Sequence, residues 1–328
     1  MSEYKGIVGQ KVVSYTTDPD NPIQGQVWYN ATANTLKLEG ATTSGSWASG
    51  GNLNVARAEG ASAGIQTAAI LGGGYSGSPG SGEGLTESYN GSSWTEVADL
   101  NTGRFANTGL GLYTSALSVG GYVGGASAIN ESWNGSSWTE VADLNTGRHY
   151  SAAAGITTAG IAFGGATPSP TANTETWNGS AWTEVANLNT SRGRLTGTGT
   201  STSALASGGS LPGASAVNES WNGSSWTELA DLNTARFFLS SSKQDVNNTT
   251  SLVFGGETPP PVNVTNTELW NGSSWSEQND LATKRAYIGG AGTSTSALAF
   301  GGQVPPFSSS TEEWTGAGSP LTQTIDTD

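Results

Sequence analysis

The sequence predicts an all-β protein: a six-bladed β-propeller with four antiparallel strands per blade, closed by an N-terminal strand and preceded by a small β-hairpin leader. Three observations carry this. An eighteen-residue segment, ESWNGSSWTEVADLNTGR at 131–148, returns in close copies from Glu87, Glu175 and Glu219 and in a looser one from Glu268. Its second Trp recurs at Trp94, Trp138, Trp182, Trp226 and Trp275, in steps of 44, 44, 44 and 49 residues, a period that fits a four-stranded blade. The 328 residues are only 34% apolar but include 48 Gly and 12 Trp. That suits a turn-rich β-protein whose core is Trp, Val, Ile, Ala and packed backbone.

The first element does not repeat. Residues 1–42 carry turn signals at Asp20–Asn21–Pro22 and Gly25, then two alternating stretches, QVWYN and TLKLE, around a polar turn at Thr32–Asn34. This predicts a hairpin leader. Trp28 and Tyr29 are its candidate anchoring residues. A propeller follows over 43–316, and 317–328 reads as an acidic C-terminal tail.

Within a unit, four strands can be placed from one copy. After Arg148, HYSAAAG is a first strand, TT a link and AGIAFGG a second strand. A variable loop leads to NTETW, the third, and Asn178–Gly179 turns the chain into SAWTEVA, the fourth. Asn-Gly between alternating strands signals a hairpin, because both residues tolerate positive φ. A two-residue loop puts Trp177 opposite Ser180 with Trp182 diagonal to it. A four-residue loop puts the two Trp face to face. Either register buries the pair against the next blade.

An Arg stands ten residues after each second Trp, and a Gly-Gly pair follows it. Trp47, Arg57 and Gly73–Gly74 fit the same ruler, which makes six Arg…Gly-Gly units. The sixth has a third-strand aromatic, Trp314, but Ser319 stands where its fourth-strand Trp belongs. Trp47 lies in a fourth-strand pattern with no third strand before it. Residues 44–50 are therefore expected to supply the outermost strand of the last blade, which removes the exposed sheet edges.

The signature Arg…Gly-Gly…Trp/Tyr…Trp resembles the kelch repeat over residues 44–316, and this implies a kelch-like propeller. NPIQGQVWYN…NTLKL in the leader is similar to the short leading segments of tailed-phage tail and fibre proteins. Together these features resemble virion proteins of tailed phages. The resemblance implies a tail fibre, tail appendage or capsid-attached fibre, made in the host cytoplasm and present in several copies per particle. Residues 1–42 would meet other virion proteins, and the propeller would be displayed toward host-surface polysaccharide. A bacterial surface or secreted kelch-type adhesin is the alternative, and a glycan-cleaving propeller enzyme a third reading.

Composition narrows the classes further. The net charge of −14 argues against nucleic acid or anionic membrane as partner, and more than half of the 26 acids fall inside the repeated segment. The start, MSEYKGIVGQ, lacks an apolar signal-peptide core, and no apolar run is long enough to span a bilayer. With no Cys, disulfides and thiolate metal sites are excluded. Neither a metal nor a cofactor is expected.

Catalytic sets are not found either. Ser132–Trp138 ends like a sialidase Asp box, yet Trp133 stands where the Asp belongs. His149 is the one His and follows Arg148, where other copies have Phe105, Gly193, Phe237 or Ala286. The acids recur unit by unit rather than forming one close pair. The six Arg are expected to bond loop carbonyls or a repeated Glu. No catalysis is therefore expected.

The loops from second to third strand differ in every unit and should emerge on one face: 74–86, 122–130, 166–174, 210–218, 257–267 and 303–311. A constant frame under variable loops is a common plan for a binding surface. The candidate contact residues there are Tyr75, Tyr122, Pro168, Pro212, Pro259 and Phe307. The fifth unit has a longer link, 240–251, expected on the opposite face.

Overall fold

The computed structural model describes residues 12–19, 26–41, 44–77, 82–317 and 320–325. The described residues contain strands, turns and no helix. The chain divides into two compact units, one formed by 1–45 with 316–328, the other by Ser46–Thr315.

In the smaller unit Val27–Asn30 and Thr35–Ala41 make the expected hairpin. The side chain of Asn30 closes its turn by accepting the amides of Thr32 and Ala33. Val13–Tyr15 pairs with Val27–Asn30 in parallel. The expected C-terminal tail is not separate: Pro320–Ile325 pairs antiparallel with Thr35–Ala41 as the fourth strand of this sheet. Trp28 is fully buried, its indole N–H donating to Asp18 at 2.9 Å. It packs the unit's core, while Tyr29 is half-buried and donates its hydroxyl to Asn34. The turn signals expected at Asp20–Asn21–Pro22 and Gly25 lie outside the described residues.

The larger unit is propeller-like. It holds six four-stranded antiparallel sheets among the described residues. Their first strands are Ala61–Ile65, Thr108–Leu112, Ala152–Ile156, Thr196–Thr200, Ser240–Ser241 and Gly289–Thr293, which define sheets one to six in order. These strands lie side by side in sequence order, and the last lies beside the first. The fourth strand of sheet six is Ser46–Ser49, in the register that faces Trp47 with Trp314.

The repeated Trp pair explains why the sheets stand together. Trp177 faces Trp182 directly, with ring centres 5.3 Å apart, and the same pairing recurs in the other copies. The loop is therefore the four-residue one. Asn178 does not take positive φ, as a two-residue turn would need; only Gly179 does, at 95°. The Asn178 side chain instead accepts the amides of Ser180 and Ala181, each at 2.9 Å.

Each pair then packs on the preceding sheet. Trp177 and Trp182 share one buried cluster with Leu110, Leu117 and Val119 of sheet two. Tyr89 and Trp94 of sheet one do the same with Leu298 and Phe300 of sheet six. Truncating one such buried indole to Ala costs about 3–5 kcal/mol, so the pairs dominate cohesion between sheets.

The repeated Arg and Glu form a second set of ties. All six Arg are fully buried and paired with a third-strand Glu of their own sheet: Glu87, Glu131, Glu175, Glu219, Glu268 and Glu312. The other carboxylate oxygen is shared with the loop arriving from the preceding sheet. Asn145, for example, donates its backbone and side-chain N–H to Glu175 Oε2, both at 2.8 Å. The motif Leu-Asn-Thr-x-Arg is thus a splice: Leu144 fills the core, Asn145 caps the Glu, and Arg148 neutralises it.

Candidate functional site

The residue after each buried Arg forms an isolated bridge with the residue after the Gly-Gly pair. The six bridges are Ala58 with Tyr75, Phe105 with Tyr122, His149 with Ala166, Gly193 with Ser210, Phe237 with Glu257, and Ala286 with Gln303. The next residue in each copy is Glu59, Ala106, Tyr150, Arg194, Phe238 or Tyr287, and all six sit at φ between 53° and 65°. This left-handed conformation costs a non-glycine residue about 1–3 kcal/mol. Main-chain bonds hold it: Tyr150, Arg194, Phe238 and Tyr287 each donate their N–H to the carbonyl of the preceding member at 2.8–2.9 Å, and Glu59 donates to Tyr287 at 3.3 Å.

Side chains from these two positions and from the variable loops form a continuous aromatic arc. Phe307 meets Tyr75 at 5.5 Å between ring centres, Tyr75 meets Phe105 at 5.6 Å, and Phe105 meets Tyr122 at 5.1 Å. Tyr122 meets His149 at 5.5 Å and His149 meets Tyr150 at 5.0 Å. Tyr150 reaches Phe238 at 5.2 Å, which stacks on Tyr287 at 3.6 Å. Phe238 is buried, and the other rings are half-buried and stay partly open to solvent. Arg194 is exposed, with its guanidinium 4.9 Å from the Phe238 ring and 5.6 Å from the Tyr150 ring.

Beside the arc lies a cleft of about 240 Å³, lined by His149, Tyr150, Pro168, Pro170, Arg194 and Pro212 among others. Its origin is local. Where sheet two fills the bridged positions with Phe105 and Tyr122, sheet four has Gly193 and Ser210, and the missing rings leave the space.

Electrostatics along the arc follow burial. Burial pushes the Glu59 carboxyl up to about 7, although the Tyr150 hydroxyl, donating to it at 3.1 Å, and the Arg194 charge pull the other way. Burial raises the Tyr150 phenol, and the neighbouring Glu59 raises it further. His149 is lowered by burial and then by the Arg194 charge. A neutral imidazole between two Tyr rings acts here as another ring of the arc.

Of the residues expected from sequence, Tyr75, Tyr122 and Phe307 fall in the arc, and Pro168 and Pro212 line the cleft. Pro259 is exposed in a separate small hairpin, Glu257–Thr258 with Val262–Asn263. Trp28 and Tyr29 belong to the other unit. Sequence reasoning missed Phe105, Tyr150, Arg194, Phe238 and Tyr287. Their signal is a fixed offset, one or two residues after the repeated Arg, at which large side chains recur in most copies.

Among the described residues no group of three or more His, Cys, Asp or Glu is placed to hold a metal ion. Also among them, no helix is long and apolar enough to cross a membrane. No known family model matches the chain, and a comparison with curated proteins finds no match.

Proposed function

We propose that the chain is a non-catalytic binding and structural protein of a tailed-phage particle, and that its larger unit is a closed six-bladed kelch-like propeller. The side bearing the aromatic arc contacts host-surface glycan, and the smaller unit docks to other virion proteins. The closed ring is supported by the side-by-side first strands, the six intersheet clusters and the pairing of Trp47 with Trp314.

The single observation that carries the glycan reading is the arc itself. Half-exposed rings in a row present flat apolar faces, which suit the C–H faces of successive sugar rings. The Ser, Thr and Asn of the surrounding loops suit their hydroxyls. Arg194 at the cleft is placed for a carboxylate or sulfate on an acidic sugar.

Binding of the purified protein to a panel of bacterial surface polysaccharides tests this. Wild type is expected to bind at least one, preferring acidic chains. Tyr122→Ala and Arg194→Ala are expected to weaken it at least tenfold while leaving the melting temperature within a few degrees. Retention by both variants of full affinity for a bound polysaccharide would rule out the arc as the contact surface. Absence of the chain from purified virions by mass spectrometry would rule out the particle assignment and leave the adhesin reading.

A further inference from the structure

The fifth unit departs from the repeat in the link between its first two strands. In the other five sheets the first and second strands are joined by two residues, such as Thr157–Thr158; in sheet five the connection runs from Ser242 to Thr250. Part of this segment turns inward across the ring of first strands. Gln244 donates its side-chain amide to the Gly111 carbonyl of sheet two at 2.7 Å and its backbone N–H to Gly292 of sheet six at 2.8 Å. Asp245 accepts from the backbone of Ser294 at 2.8 Å and from Thr198 of sheet four at 3.3 Å. Three non-adjacent sheets are thereby tied through one short segment.

Lys243 lies in this segment. It is 8% exposed and has no hydrogen-bond or ion-pair partner among the described residues. It lines a cavity of about 90 Å³ together with Ser62, Thr108, Ser151, Thr196 and Ser240. The Ser151 hydroxyl is buried and likewise unpartnered. Asp245, two residues on, forms no ion pair with the lysine among the described residues; its carboxylate accepts from Ser242, Ser294 and Thr198. Glu59 and Arg194 line the same cavity on the side of the left-handed ring.

An ammonium on a largely buried side chain with no counter-charge in contact is unfavourable. The space beside it exceeds the roughly 10–15 Å³ needed by one water, and hydroxyls line its walls. We propose that this cavity binds a small oxyanion of the phosphate, sulfate or carboxylate class, with Lys243 as its counter-charge and the Ser and Thr hydroxyls as donors. Burial pulls the Lys243 ammonium down to about 8, which leaves it mostly charged at neutral pH.

The test uses the full chain at pH 7 and constant ionic strength, titrated separately with inorganic phosphate, sulfate and acetate against a chloride control. Thermal unfolding and, for phosphate, ³¹P line broadening are the readouts. Wild type is expected to show a saturable stabilisation with at least one anion, and which anion saturates identifies the class. Lys243→Met is expected to weaken that anion at least tenfold, and Lys243→Arg to retain most of the response. Met removes a buried charge without leaving a void, so this variant should fold. The proposal is overturned if no anion gives a saturable response, or if Lys243→Met responds as wild type does.

Discussion

The indole of Trp47 lies 5.3 Å from that of Trp314, directly opposite it across a strand pair whose members come from the two ends of the larger unit. Trp47 also meets Phe254 at 5.0 Å and donates its indole N–H to Thr267 at 3.0 Å, both in sheet five. Three segments far apart in sequence therefore meet at one half-buried side chain.

Replacing Trp47 by Ala should destabilise the protein by about 2–3 kcal/mol, somewhat less than a fully buried Trp would. Because the contact joins chain ends, unfolding of the larger unit should remain a single transition at lower temperature. Calorimetry checks both; loss of a separate early transition only would show that Ser46–Ser49 is a frayed appendage.

Arg148→Met leaves the Glu175 carboxylate buried with Asn145 as its remaining donor. The expected cost is about 3–5 kcal/mol. Adding Glu175→Leu should recover part of this, since no charge is then stranded, but the two N–H groups of Asn145 lose their acceptor. Urea unfolding of the two single mutants and the double mutant measures the coupling.

Asn178→Ala removes the acceptor of two turn amides and should cost about 1 kcal/mol. Ser180→Ala in the same exposed turn should stay within about 0.5 kcal/mol of wild type. Denaturation midpoints distinguish the two.

Glu59 titrates near 7 in the folded protein against an ordinary value of 4.5. The native state holds this proton more tightly than the unfolded chain does. Its stabilising contribution is therefore full below about pH 4.5 and is lost as pH rises through about 7, by up to about 3 kcal/mol in all. Glu59→Gln should flatten stability over that window, as followed by denaturant midpoint against pH.

Lys243 has the opposite sign. Its folded value of about 8 lies below the ordinary 10.5, so the native state releases this proton more readily. Stability should rise between about pH 8 and 10.5 by up to about 3 kcal/mol. Lys243→Met should lack that rise and, in oxyanion-free buffer at pH 7, melt above wild type.

What could be read from sequence was what the chain writes many times. The Trp pair, the Arg followed by Gly-Gly and the stray Trp47 place strands and partners because each copy checks the others. Asn178–Gly179 left the register open, since either loop length satisfies the same two residues; the Asn side chain decides it by capping two amides. Pro320–Ile325 was missed because a single strand of alternating polar residues has no second copy and no turn signal tying it to Thr35–Ala41. Lys243 was hidden for a related reason: in a link read as surface, only the bonds of Gln244 and Asp245 reveal that the chain turns inward.

Five main-chain hydrogen bonds link the six left-handed residues in series, and these bonds do not use the side chains, although several of those side chains also touch one another. Glu, Ala, Tyr, Arg, Phe and Tyr already occupy this series side by side. The backbone series can thus keep its course while the side chains it carries change from copy to copy. It needs only residues that tolerate the left-handed turn.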